Sequence, residues 1–434
     1  MARRQGRGGV VRVQQAQRQQ VEWRPLALDE LLTDDHSARL VWAYVDGLDL
    51  AAFYEPIAAV EGGVGRNPID PKILLALWLQ ATIDGIGSAR RLDRMCREHL
   101  TYLWMCGGVT VNYHTLADFR VRHADRLDQL LTQSVATLLH QELIDLNRVA
   151  QDGMRVRASA GSSSFRRKPT LEKCLQEAEE QLKVLREERE SDDVSAEDRR
   201  VKGARERAAR ERAERVQAAL EEREKIVPKM ERRKKGSGDE ARASTTDPEA
   251  RKMKMGDGGF RPAYNVQFAT TTETRVIVGL DVVNAGTDGG QLQPMYEQLI
   301  ERYSQRPEEY LADAGFSNLE AITHLEANGT NVYLPITDEE KKRSQGRDPH
   351  APMPGDSQEV EAWRARMGTD EAKEIYKERA SSAEFSNATC RNRGLNQFNV
   401  RSLAKAKAVA LWHALAHNFQ RLLALTRQRS TMAT

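Results

Sequence analysis

Residues 260–283 leave the chain the least freedom. Tyr264, Val266 and Phe268 alternate with Asn265 and Gln267, a threonine-rich stretch follows at 270–274, and Val276, Val278, Leu280 and Val282 alternate again. A period of two puts every second side chain on one face, so this stretch predicts a β-hairpin. A lone hairpin is not stable in water and needs further strands or helices against it. Tyr310-Leu311-Ala312-Asp313-Ala314-Gly315 reads as a short apolar strand ending in Asp-Ala-Gly, and Val332-Tyr333-Leu334-Pro335-Ile336 as another. Upstream, Val149, Gln151, Gly153 and Arg155 alternate with Ala150, Asp152, Met154 and Val156, a further short strand. Helices are predicted from Thr287-Asp288 through Leu299, from Asn318 to Asn328, over 371–393 and from Ser402 to about 427, with a polar loop at 337–368. This order describes an α/β domain with a mixed sheet covered by helices.

The first third is helical in pattern. Asp70 before Pro71 is a helix start, and Ile73, Leu74, Leu77, Trp78 and Ala81 follow at helical spacing until Gly85. Ser88 can cap the next helix, which carries Arg90, Arg91, Leu92, Met95 and Cys96. The pair is a helix-turn-helix or a plain helical hairpin. Thr115 to Asp118 has the form of a capping box. Tyr113, His114, Arg120 and Arg122 around it suit a helix that enters a DNA groove, or a polar surface helix. Leu127, Leu130, Leu131, Val135 and Leu138 continue as a long amphipathic helix.

Between the first strand and the hairpin stands an interruption. Leu171, Leu175, Ala178, Leu182 and Leu185 follow heptad spacing. Ser191-Asp192-Asp193 breaks the seam, and Ser195 caps a second, highly charged helix that Pro228 is expected to stop. The organisation read from the sequence is a basic mobile arm at 1–24, an all-helical unit at 25–145, a sheet domain at 146–167 and 240–428, and an inserted antiparallel coiled-coil hairpin with its linker at 168–239.

Charge narrows the partner. The formal net charge is only +2, yet Arg3, Arg4, Arg7, Arg12 and Arg18 precede the first acid, Glu22, and no acid follows Glu384. Basic ends around a balanced middle suit a polyanion, nucleic acid first. Cys96, Cys106, Cys174 and Cys390 form no CxxC pair, which fits a reducing cytoplasm, and no apolar run reaches the length of a membrane span.

The 371–393 helix has a polar stripe. At about 100° per residue, Tyr376, Ala380, Glu384, Asn387 and Arg391 fall within roughly one quarter of its circumference, with Arg379 flanking. Such a face lines a polar site or is solvated and ion-paired along the helix. Asp152 on a strand, Asp313 at a strand end and Glu384 here form a trio of carboxylates that could hold two divalent ions for phosphodiester chemistry if they converge. Asp257 and Asp288 read as turn or cap residues, and Asp247 and Glu249 as loop residues. His413 and His417 read as a polar helix face rather than zinc ligands, and Asp281 is the strongest rival carboxylate.

IDPKILLALWLQATIDGIGSARRLDRMCREHL, VNYHTLADFR, AQDGMRVRASAG, GGFRPAYNVQFAT, YLADAGFSN, ASSAEFSNATCRNRGL and ALWHALAHNF resemble the DDE transposases of bacterial insertion sequences. The closest resemblance is to the group named insertion sequence eleven-eighty-two, related to the larger four/five superfamily. The resemblance implies an RNase H-like catalytic domain behind a helix-turn-helix-like DNA-binding domain. It implies catalytic, metal-holding acids at Asp152, Asp313 and Glu384, two Mg²⁺ or Mn²⁺ ions, and DNA contacts from Tyr376, Arg379 and Arg391. In the superfamily pattern of Tyr, Arg, Glu and Lys, this chain has one residue more between Arg379 and Glu384 and has Arg391 in place of Lys. The implied partners are double-stranded DNA, as element terminal repeats and target, and a second copy of the chain on that DNA. The implied location is the bacterial cytoplasm at the nucleoid. Two other readings compete: a non-catalytic DNA-binding or architectural protein, and a nuclease of the same fold that never joins strands.

Overall fold

The computed structural model describes residues 27–57, 67–190 and 196–432, with residues 16, 19, 21 and 25. The basic arm at 1–24 falls almost wholly outside the described residues, and so does the cap expected at Ser195.

The first third forms helices, chief among them α1 (Ser37–Asp46), α2 (Pro71–Ile83), α3 (Ala89–Glu98), α4 (Leu100–Cys106), α5 (Tyr113–Arg122) and α6 (Ala124–His140). Asp70 caps α2 by accepting from Lys72 N at 2.8 Å, and Pro71 occupies the first position, where a missing N–H costs nothing. Leu74 through Thr82 are all buried, so α2 is a central helix rather than an amphipathic one. Ser88 caps α3. The start of α5 differs from the expected capping box. Asn112 Oδ1 accepts from the N–H groups of both His114 and Thr115, each at 3.0 Å. It satisfies two orphan donors, and Thr115 lies inside the first turn.

Six strands form one mixed sheet: β1 (Arg148–Arg157), β2 (Arg251–Lys254), β3 (Phe260–Thr271), β4 (Ile277–Val283), β5 (Glu309–Leu311) and β6 (Asn331–Tyr333). The order is β2-β3-β1-β5-β6, and β4 also pairs with β3. β1 runs antiparallel to β3 and parallel to β5, and β5 runs parallel to β6. β2 was hidden in the sequence because Met253 alone of its four residues is buried.

Helices α7 (Lys168–Glu190) and α8 (Ala196–Arg233) leave the sheet domain and return to it. They pack antiparallel, with Lys202 Nζ donating to Glu188 O at 2.9 Å and Arg212 Nη1 to Gln181 Oε1 at 3.5 Å. Leu171 and Ala178 of the heptad seam are fully buried, and the other seam residues are half-buried. The helix does not stop at Pro228 but runs five residues beyond it, to Arg233. A proline removes one intrahelical hydrogen bond, and here the flanking turns carry it. At the neck of the excursion Phe165–Arg166 pair with Ala243–Ser244.

The second half adds α9 (Leu292–Tyr303), α10 (Leu319–Ala327), α11 (Gln358–Met367), α12 (Asp370–Arg379), α13 (Phe385–Asn392) and α14 (Leu403–Met432). α11 lies inside the stretch expected to be a loop: Ser357 caps it and Trp363 anchors it in the core. Asp247 and Glu249 lie in a loop, as expected, and their carboxylates also bind the start of the last helix. Asp247 Oδ1 accepts from Ser402 N at 3.1 Å, and Glu249 Oε2 accepts from Leu403 N at 2.8 Å, at the start of α14. α14 joins the two halves. Trp412 Nε1 donates to Arg120 O at 2.9 Å, while the side chain of Asn418 binds both N and O of Ile277 on β4. One apolar core extends from Leu32 to Phe419, and a smaller cluster of Leu171, Ala219 and Ala243 lies apart from it.

Candidate active site

The sheet register sets the site. In the parallel β1–β5 pair, Arg148 is opposite Glu309 and Ala150 is opposite Leu311. The same offset brings Asp313, just beyond β5, level with Asp152 on β1. Asp313 is half-buried and opens a short turn by accepting from Gly315 N at 2.8 Å. Asp152 shares a sheet face with Met154 and Val156; residues 380–384, between α12 and α13, pack against β1, and Arg379 of α12 and Asn387 of α13 reach Asp152 from either side of them.

Asp152 is held by several groups. Its Oδ1 accepts from Gly153 N at 3.0 Å, and its Oδ2 accepts from Asn387 Nδ2 at 2.8 Å. Arg379 Nη1 stands 3.7 Å from Oδ1. Burial pushes the carboxyl up to about 6; Arg379 pulls against the rise, and Asp313 and Asp288 add to it. Burial lowers the Arg379 pKa, but Tyr376, Asp152 and Asp313 outweigh it, so the guanidinium is held above its ordinary value. Tyr376 lies beside it, its ring centroid 5.8 Å from the Arg379 Cζ. Arg379 Nη1 and Asn387 Oδ1 are buried without a hydrogen-bond partner among the described residues.

The 371–393 segment is not one uniform α-helix. A π-helical turn, Ala380–Glu384, separates α12 from α13. A π turn absorbs one residue without disturbing the helix on either side. In a plain α-helix Arg379 and Glu384 would point about 140° apart. With one residue absorbed, Tyr376, Arg379, Glu384, Asn387 and Arg391 all fall within about 80°. The extra residue between Arg379 and Glu384 therefore has a local structural answer. Glu384 itself is exposed, and its carboxylate has no hydrogen-bond or ion-pair partner among the described residues. No three His, Cys, Asp or Glu side chains among the described residues are gathered closely enough to hold a metal ion. The structure thus brings Asp152 and Asp313 together with Arg379, Tyr376 and Asn387, and leaves Glu384 on the rim.

Asp288 is the residue that sequence reasoning missed. It is buried, and Asn265 Nδ2, Gln267 Nε2 and Arg155 Nη2 donate to it at 2.7, 2.8 and 3.1 Å. Its Gly-rich surroundings suggested a turn. The usable signal was the polar pair Asn265 and Gln267 on one face of a strand otherwise built for a core. Asp281, the rival carboxylate, is half-exposed and paired with Lys407 at 3.1 Å.

The residues expected to meet DNA divide. Arg120 is not at the surface: it is buried, donates to Gly87 O and lies over the Trp78 ring at 4.8 Å. Burial takes its pKa down to about 10. On α5 it points inward because Leu116 and Phe119 define the buried face it shares. Arg122, His114 and Arg391 are exposed, and half-buried Tyr113 stacks on His114 with Arg90 above it. His413 and His417 are core residues, not a polar face, and burial takes them down to about 3 and about 4.

The donor chemistry fits a divalent ion in part. Asp152 and Asp313 are neighbouring carboxylates whose oxygens could serve as hard ligands, and the charge on Asp152 is faced by one guanidinium, that of Arg379. Glu384 is displayed from the same polar helix.

Two family models match the chain in tandem. "Transposase domain (DUF772)" matches residues 26–122, over the helical third, and "Transposase DDE domain" matches residues 230–419, over β2 to α14. The chain belongs to the DDE transposases of insertion sequences. The strand carrying Asp152 lies outside both matches, on the far side of the α7–α8 excursion, yet it pairs at the centre of the sheet. No curated protein and no solved structure matches the chain. No helix among the described residues is long and apolar enough to cross a membrane.

Proposed function

We propose that this transposase cuts DNA at the ends of its element and joins the freed ends to target DNA at the Asp152–Asp313 site. The observation that carries the reading is this pair of acids, one on β1 and the other level with it just beyond parallel β5, faced by Arg379, Asn387 and Tyr376 from one helix stripe. The sheet order, with antiparallel strands on one side of β1 and parallel strands on the other, supports an RNase H-like domain. Asp152 and Asp313, with Glu384 displayed from the neighbouring helix, would hold Mg²⁺ or Mn²⁺, which would activate an oxygen nucleophile and offset phosphate charge. Asn387 fixes the orientation of Asp152. Arg379, whose Nη1 makes no hydrogen bond among the described residues, and the exposed Arg391 would grip phosphate oxygens. Hydrolysis at the element end leaves a 3′-hydroxyl, which then attacks a target phosphodiester. Both steps are in-line displacements at phosphorus, so one site serves both.

Arg122, His114 and Tyr113 contribute to DNA contact, while the buried Arg120 supports α5 from behind. Two chains act together because two DNA ends must be held at once, and the work is done at the nucleoid in the cytoplasm. The α7–α8 pair is read as a coiled-coil insertion.

The test is cleavage of a labelled element-end duplex by the purified chain with Mg²⁺ or Mn²⁺, alongside Asp152→Asn and Asp313→Asn. Loss of cleavage in both variants with end binding intact supports the reading. Wild-type-like cleavage in either variant overturns it. A 3′-end-labelled donor that is cut but never joined to target would leave a nuclease.

A further inference from the structure

We propose that Asp288 is a positioning residue for the acid site, a buried carboxylate that sets the backbones carrying Asp152 and Asp313 relative to one another. The inference rests on the function proposed above. Asp288 lies on the sheet face opposite Asp152, where Gln151, Gly153 and Arg155 of β1 meet Asn265 and Gln267 of β3. Its Oδ1 takes Asn265 and Gln267 from β3, and its Oδ2 takes Arg155 from β1. One carboxylate therefore ties the two strands together directly behind the acid.

Its approach is unusually close. A Cβ on Gly153, the residue after Asp152, would lie 2.0 Å from Asp288 Oδ1 and 2.6 Å from Gln267 Nε2. Only glycine leaves the room Asp288 occupies. A Cβ on Gly315, in the turn that orients Asp313, would lie 3.8 Å from Asp288 Oδ2. The same side chain thus borders the residue beside one acid and the turn that holds the other.

The network around it is continuous. Gln151 Nε2 donates to Gln267 Oε1 and to Gln291 O, both at 3.0 Å, and Tyr310 Oη donates to Gln151 Oε1 at 2.8 Å. Tyr310 belongs to β5, so the network spans β3, β1 and β5, the three strands that determine where the acids stand. A buried, charge-paired network of this kind adds little stability over an apolar packing of equal volume. It does fix geometry, because every member has directional partners. Arg155 neutralises Asp288, and all three donors occupy its oxygens, so it supports the ligands without acting as one.

The test uses the full chain with Asp288→Asn and, more gently, Asn265→Ala, which leaves the carboxylate in place with two donors. Four quantities are read: melting temperature, affinity for end DNA in EDTA, Mn²⁺ affinity without DNA by electron paramagnetic resonance, and single-turnover cleavage at saturating DNA and Mn²⁺. For Asp288→Asn we expect end binding within about twofold of wild type, Mn²⁺ affinity about tenfold weaker and cleavage at least about tenfold slower. Asn265→Ala is expected to move the last two in the same direction by less. Folded variants with wild-type Mn²⁺ affinity and rate overturn the proposal. So do losses that merely track the unfolded fraction, which would make Asp288 a structural residue only. If Asp288→Asn does not fold, Asn265→Ala decides. If the wild-type chain does not cut DNA, the proposed function fails, and the Mn²⁺ measurement still decides for or against Asp288.

Discussion

At Asp152 a carboxylate is kept on a central strand where water solvates it poorly. Its ordinary value of 3.8 rises to about 6 in the folded chain. The folded state therefore binds the proton more tightly than the unfolded state, and this group's contribution to stability falls as pH rises from about 4 to about 6, then levels off. The full effect is on the order of 3 kcal/mol. Asp152→Asn in EDTA should raise the melting temperature at pH 7 by an amount worth about 1 kcal/mol, because the amide loses an acceptor as it sheds the charge. The gain should vanish near pH 5 and turn into a loss of about 2 kcal/mol below about pH 4. Calorimetry across pH checks this, and a flat difference would mean that the desolvation argument fails. Arg379→Gln acts in the opposite sense, leaving Asp152 with less compensation. We expect lower stability at pH 7 and at least about tenfold slower cleavage with end binding retained, read by single-turnover assay.

The helix from α12 to α13 shows what a local irregularity does. Reading 371–393 as one α-helix found the right polar stripe but left Arg379 outside it. The π turn at Ala380–Glu384 brings Arg379 back. Periodicity could not reveal this, because a π turn is one extra residue in an otherwise unbroken helical pattern. The odd spacing of Arg379 and Glu384 was its trace. Deleting the exposed Ser381 should convert the turn to α-helix with the stripe preserved, and activity should stay within a few-fold of wild type. Inserting one alanine after Asn387 should rotate Arg391 by about 100° and leave Asn387 on Asp152. Cleavage should then fall while circular dichroism is unchanged. Equal activity in both variants would sink this account of the turn. Pro228 and Asn112 teach the same lesson at other helices: ends are decided by which donors find acceptors, and several residues nearby are chemically able to serve.

Across the whole molecule, α14 makes the helical third and the sheet interdependent. Trp412 lies against Trp78 and Phe119, with ring centroids 6.4 and 6.3 Å apart. Trp412→Ala should cost about 3–5 kcal/mol and lower the melting of both halves together in one transition. Two separate transitions, by calorimetry, would contradict a shared core. The α7–α8 excursion is the converse case. Its helices lie side by side at Gln181 and Arg212, so replacing residues 182–211 by a short turn should shift the melting temperature by only a few degrees.

The alternating strands, the capped α2 and the heptad excursion were legible in the sequence by themselves, because each rests on periodicity or a cap within a few residues. Asp152 stood out there as a carboxylate on a strand, and Asp313 as one at a strand end. Tertiary structure alone decided that β1 pairs with strands more than a hundred residues away, that Arg120 and the two α14 histidines are buried, and that Asp288 lies behind the acids. Those facts depend on which faces meet, and a face acquires its partner only when distant segments pack.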